Sequence, residues 1–201
     1  MSEPRWYDAA QGVMRLLRTA DPSCLRLSLG RVDGPRGARL KTLAQAALGA
    51  LGWRVVVDGP ADVHVGADRP KPGVFWLAPA SEAPLTGGIA EADAAQWALR
   101  LRYRAASGAP LVEDLSAARD ERLSLETAAR TLKIRAAAGA PNEAALTGYV
   151  RRLRAALADD LDSPAALQAL WDALRPGALS PATQWAALRQ ADAWLALNLP
   201  L

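Results

Sequence analysis

Four consecutive segments decide the fold: L-R-L-S-L (25–29), G-R-V-D-G-P-R-G (30–37), A-R-L-K-T-L-A-Q-A-A-L-G-A-L-G (38–52) and W-R-V-V-V (53–57). The first alternates strictly between apolar and polar residues, which predicts a half-buried strand. The second is glycine- and proline-containing loop. In the third, Leu40, Leu43, Ala47, Leu48 and Leu51 recur at helical spacing, and Gly52 follows as a natural C′ residue. The fourth is a near-continuous β-branched run, as expected of a buried strand in a parallel sheet. Strand, loop, helix and strand together predict one β-α-β unit.

Working outward, residues 58–73 are rich in Gly, Pro and Asp and read as loop, and Val74–Leu77 reads as a third strand. Residues 78–88 read as loop or linker. Beyond Ala90 the periodicity is helical to the end, with expected helices at 91–106, 115–138, 143–161, 164–174 and 181–197. Asn142, Ser163 and Ser180 are expected N-caps, the last two followed by proline, and Gly139 and Gly177 are expected stops. The expected architecture is α/β plus all-α. A small Rossmann-like β-α-β remnant with a short parallel sheet occupies residues 1–90, and an antiparallel helical bundle occupies 91–201.

Composition narrows the function classes. The 201 residues carry 24 basic and 21 acidic side chains, a net charge of +3 that excludes nucleic-acid binding by bulk charge alone. The slight basic excess falls within residues 1–70. One cysteine, Cys24, excludes a disulfide framework and a multi-thiolate zinc site. Cys24 itself reads as a small residue at a strand edge. No apolar run is long enough for a membrane span, and the polar start predicts neither a signal nor a transit peptide, so a cytoplasmic location is expected.

Candidate site residues are few. The turn 30–37, between strand and helix, is where α/β folds hold phosphate, although it matches neither nucleotide-loop consensus. Gly34, Arg36, Gly37, Arg39 and Lys41 are its candidate nucleotide- or phosphate-binding residues, with ATP or AMP as ligand. The alternative is a plain glycine turn with solvated arginines. Arg100 and Arg104, with Arg151 and Arg154, are candidate RNA-phosphate contacts that would equally serve in surface ion pairs. His64, the sole histidine, reads as a surface or loop residue without a metal partner. Asp159, Asp160 and Asp162 read as helix-capping carboxylates. Trp185 and Trp194 read as core, with a dimer or other protein contact as the alternative. The oligomeric state is left open.

Several segments carry a resemblance. Arg5-Trp6-Tyr7-Asp8, Phe75-Trp76-Leu77, Trp97-Ala98-Leu99-Arg100-Leu101 and A-D-D-L-D-S-P-A-A-L-Q-A-L (158–170), in this order about the β-α-β unit, are similar to cysteinyl-tRNA synthetase. That family is a class I synthetase with a Rossmann-type catalytic domain followed by a helical DALR domain. The resemblance implies tRNA, another RNA or a protein as partner for the bundle. The family's catalytic signatures are missing. H-I-G-H falls on Gly34-Pro35-Arg36-Gly37, and K-M-S-K-S falls near Thr86-Gly87-Gly88, with no lysine between Lys71 and Lys133. The first zinc cysteine falls on Leu29-Gly30, so no metal site is expected. The family's long insertion and its anticodon-reading domain are expected to have no counterpart. Charge-stabilising groups of this kind are each worth roughly 3–4 kcal/mol in a transition state. The expectation is a relative without aminoacylation activity, a binding module for RNA or protein. The alternative is a nucleotide-binding enzyme of altered chemistry using the 30–37 loop, with Arg36 and Arg39 as phosphate clamps.

Overall fold

The alternating stretch is a strand, β3 (Cys24–Leu29), as the sequence predicts. A computed structural model gives the fold and describes residues 4–19, 21, 23–32, 34–57, 60–79, 90–104 and 110–201. After β3 the chain enters helix α1 (Gly34–Ala50) and returns in strand β4 (Arg54–Val56), parallel to β3. The β-α-β unit is therefore present. The helix starts four residues earlier than its periodicity predicts. Gly34 adopts φ +75°, and Pro35 falls in the first turn, where a missing N–H costs nothing. At the other end Gly52 (φ +106°) donates its N–H to Gly49 O and Trp53 donates to Leu48 O, a Schellman closure around the expected C′ glycine.

The stretch 58–73 is not all loop. Within it lies a further strand, β5 (Val63–Val65), and β6 (Phe75–Leu77) completes a parallel sheet of order β4-β3-β5-β6. Three residues are too few to display a period, which is why β5 is invisible in the sequence. Its neighbours define it, because it pairs with β3 on one side and β6 on the other. Parallel neighbours ordinarily need a crossover of a dozen residues or more. Here β4 ends level with Arg26 of β3, and β5 begins level with Leu27 on its opposite side. That stagger lets the chain step from β4 to β5 across β3 without an intervening helix.

One face of the sheet carries Leu25, Leu27, Val63, Val65, Phe75 and Leu77, all buried in a common apolar cluster with Leu40, Leu43, Ala44, Ala47 and Leu48 of α1. The cluster continues without interruption into the later helices through Leu153, Leu157, Leu170, Leu188 and Leu195. These helices are α2 (Glu91–Leu99), α3 (Val112–Arg135), α4 (Glu143–Ala158), α5 (Ser163–Leu174) and α6 (Pro181–Leu195). A 3-10 turn, Ala136–Ala138, closes α3 before Gly139. α2 stops at Leu99, seven residues short of the expectation, and the last two expected positions, 105 and 106, lie outside the described residues. The boundary expected at residue 90 adjoins 80–89, which are also outside them. Among the described residues no helix is long and apolar enough to cross a membrane.

Capping follows sequence with one exception. Asn142 accepts the Ala145 N–H at 3.0 Å, and Ser180 accepts the Thr183 N–H at 3.3 Å. The cap of α5 is Asp162 rather than Ser163. Its carboxylate accepts the Ala165 N–H at 3.1 Å, while Ser163 is the first helical residue. A carboxylate there also meets the positive amino end of the helix. Asp160, grouped with it in sequence, does not cap. It is fully buried and serves the hairpin described next.

Strands β1 (Arg5–Asp8) and β2 (Val13–Leu16) form an antiparallel hairpin. Asp8 is 1% exposed. Its carboxylate accepts the N–H groups of Ala10 (3.0 Å) and Trp76 (3.2 Å) and the guanidinium of Arg15 (2.6 Å), so one side chain closes the turn and ties it to β6. The hairpin also docks on the end of α4. Trp6 is wholly buried and donates Nε1–H to Leu157 O at 2.9 Å.

Tyr149 of α4 is 1% exposed, and its hydroxyl has no hydrogen-bond partner among the described residues. Burial pushes the phenol above its ordinary ionisation range, against a smaller opposing pull from Arg152. The native state thus keeps a proton that the unfolded chain releases, and this contribution to stability is present below about pH 10 and falls as pH rises beyond it. Tyr149→Phe removes an unsatisfied buried hydroxyl. It is expected to raise the unfolding free energy by about 1 kcal/mol and to blunt alkaline destabilisation. Urea unfolding at pH 7 and pH 11 measures both effects.

Candidate functional site

The turn between β3 and α1 does not place its arginines where a phosphate would lie. Arg36 and Arg39 belong to α1 and are 3% and 9% exposed. Arg36 donates to the carbonyls of Arg102 (2.8 Å) and Tyr103 (3.3 Å), with its guanidinium 6.0 Å from the centroid of the Trp97 ring. Arg39 donates to Leu195 O at 2.7 Å, and burial pushes its ionisation down to about 10. The expectation of two solvent-facing clamps is corrected: the early helix start turns both side chains inward, where they fasten α1 to the chain after α2 and to the end of α6. Gly34 is exposed, Lys41 is half-buried, and Gly37 is buried, with a Cβ there falling 2.7 Å from Val32 Cβ. Gly37 is therefore a packing glycine.

The four candidate RNA contacts divide evenly. Arg104 pairs with Asp160 and lies 4.9 Å from the Tyr7 ring centroid. Arg154 donates to Ala50 O at 2.9 Å, capping α1, and lies 5.4 Å from the Trp194 ring centroid. Arg100 and Arg151 are exposed without an ion pair among the described residues. Arg102, from the same run as Arg100, pairs with Asp162. Trp185 and Trp194 are partly buried against the core. The segment Thr86–Gly88 lies outside the described residues.

A different set of residues is brought together at the carboxyl ends of β3 and β5. The register sets Ser28, His64 and Trp76 side by side on one face of three adjacent strands. This is the face opposite α1, and on it Arg26 of β3 and Arg54 and Val56 of β4 are exposed. His64 is on a strand and 6% exposed, which corrects its reading as a surface or loop residue. Ser28 Oγ is 2.7 Å from His64 Nδ1, and Asp68 Oδ1 is 3.4 Å from His64 Nε2. Nε2 is buried and makes no hydrogen bond among the described residues. Trp76 donates Nε1–H to Gly66 O at 2.8 Å.

Asp68 is anchored from the backbone: Arg31 N–H donates to Oδ1 at 2.8 Å. Its own N–H holds the carboxylate below the usual range, with Arg31 N–H and His64 adding to the effect. Gly30 donates to Val65 O (2.9 Å) and Ala67 to Arg31 O (2.7 Å), which stitches the loops after the two strands together. Gly30 and Gly66 make room for the pair. A Cβ on Gly30 would fall 2.2 Å from Asp68 Oδ1 and 2.4 Å from His64 Cε1, and one on Gly66 would fall 2.8 Å from Asp68 Oδ1. The site is also the switch point of the sheet, where neighbours on either side of β3 connect in opposite directions and α/β folds bind ligands. No group of three or more His, Cys, Asp or Glu among the described residues is placed to hold a metal ion.

The sequence holds one local signal of this constellation, the spacing H-V-G-A-D, which puts a carboxylate four residues after the histidine just past a strand. Ser28 lies 36 residues earlier, and only the register joins it to them. The chain matches no protein-family model, and no curated protein matches it.

Proposed function

We propose that this chain is a binding module related to cysteinyl-tRNA synthetase, without aminoacylation chemistry, and that its partner is RNA. The helices after residue 90 stand for that family's DALR-type bundle in this reading. The observation that carries it is the distribution of guanidinium groups. Arg36 and Arg39, at and beside the signature position, are spent on internal carbonyls. Arg26 and Arg54 are exposed on the sheet face that also bears half-buried Trp76, and Arg100 and Arg151 are exposed on the helical side. Exposed arginines supply salt-dependent phosphate contacts, and an aromatic side chain on an open sheet face offers a surface for unstacked bases. The nucleotide alternative retains only Gly34 and Lys41 as accessible members of its site. Calorimetry with ATP and AMP at millimolar concentration is expected to give no heat.

A gel-shift titration against total tRNA tests the proposal. Binding is expected to weaken between 50 and 200 mM salt, as counterion release requires. Arg26→Ala and Arg54→Ala are each expected to lower affinity without changing RNA preference and to reduce the salt slope by about one. Binding no tighter than to a scrambled RNA would end the RNA reading.

A further inference from the structure

Beyond RNA binding, we propose that Ser28, His64 and Asp68 form a nucleophilic site that hydrolyses carboxylic esters through an acyl-serine. Three observations meet here. The Ser28 Oγ–His64 Nδ1 separation of 2.7 Å is within proton-transfer reach of a nucleophile and its base. The second ring nitrogen, buried and without a hydrogen bond among the described residues, faces a carboxylate 3.4 Å away that the backbone holds in place. Two glycines vacate the space which that histidine–carboxylate pair fills. Ser28 remains half-exposed at one end of the row, so a substrate can reach it from the face opposite α1.

With His64 neutral and protonated on Nε2, Nδ1 accepts the Ser28 hydroxyl hydrogen bond. Oγ then attacks the ester carbonyl carbon, and the new Oγ–C bond forms as the hydroxyl proton passes to Nδ1. The imidazolium is stabilised by Asp68. The C–O bond to the alcohol breaks as Nδ1 returns the proton to the leaving oxygen. Water repeats the sequence in reverse: its proton goes to Nδ1, its oxygen bonds to the acyl carbon, the Oγ–C bond breaks, and Ser28 regains its proton. Ester and water yield acid and alcohol, and no redox partner enters.

The test uses the full chain with a fluorophosphonate probe and with 4-nitrophenyl acetate. Mass spectrometry of the digest is expected to place the phosphonyl adduct on Ser28, and the acetate ester to give a burst of nitrophenolate. Ser28→Ala should abolish both while leaving the circular-dichroism spectrum and urea midpoint unchanged. His64→Ala should slow labelling by about 10²–10⁴. Gly30→Ala, which keeps Ser28 but drives a methyl into the His64–Asp68 pair, should slow it at least tenfold. Cys24→Ser should leave the burst intact, separating Ser28 from the one thiol. An adduct on another residue, labelling that survives Ser28→Ala, or a rate indifferent to His64→Ala in folded protein each overturns the proposal. None of these readouts depends on RNA, so the gel-shift result neither rescues nor sinks it.

Discussion

Asp160→Ala is expected to destabilise the fold by about 3–5 kcal/mol, the range for removing one member of a buried, hydrogen-bonded charge network. Asp160 is wholly buried. Its Oδ1 accepts Tyr7 N–H at 2.7 Å and the Tyr103 hydroxyl at 2.8 Å, and its Oδ2 accepts Arg104 Nε. Arg104 is 39% exposed, so its charge retains water and contributes the smaller part. The larger part comes from the Tyr7 N–H, which loses its acceptor, and from the buried Tyr103 hydroxyl, which keeps only the 3.3 Å bond to Tyr7 O. The backbone adds a second demand, because Asp160 adopts φ +56°, a conformation aspartate and asparagine tolerate better than alanine. Asp160→Asn keeps an acceptor and the backbone tolerance, and is expected to cost only about 1–2 kcal/mol. Urea unfolding of the two variants side by side measures the difference. A loss below 1 kcal/mol for the alanine variant would show that the network contributes little.

Trp6→Ala is the second large effect, expected at about 3–5 kcal/mol. The ring is fully buried, and its loss leaves a cavity where the hairpin meets the end of α4 together with an unpaired carbonyl at Leu157. The neighbouring bridge between Arg5 and Asp159 and the Asp160 N–H to Arg5 O bond at 2.9 Å fasten the same junction, so the site has little freedom to collapse. Trp6→Phe keeps most of the apolar volume and is expected to lose about half as much. Thermal unfolding followed by far-ultraviolet circular dichroism distinguishes the two.

Long periodic segments told most about the fold. The alternation at 25–29 and the apolar spacing at 38–51 lead directly to β3 and α1, because a strand of six residues and a helix of seventeen each complete several of their own periods. Strand β5 offers three residues, and its identity lies in its partners rather than in itself. The hairpin fails for the same reason: four-residue strands around a turn closed by Asp8 side-chain bonds carry no loop consensus.

The candidate site was less legible still. Arg36 and Arg39 looked like phosphate ligands because a glycine turn precedes them, yet extending α1 back to Gly34 moves both onto its buried side. His64 looked isolated because its partners come from strand register and from a carboxylate one turn of chain away. Register is a tertiary quantity, set by how β5 lies along β3, and composition holds no trace of it.

The docking of the first strand against the end of α4 has a consequence for biosynthesis. Trp6 and its acceptor are 151 positions apart, and Asp160 follows three residues after that acceptor. A nascent chain growing at roughly 5–20 residues per second therefore carries the Trp6 indole for roughly 8–30 s before the groove that receives it has been made. During that interval the indole is available to chaperones or to other nascent chains, so the ribosome itself sets the order of assembly, with a strand translated early among the last to settle.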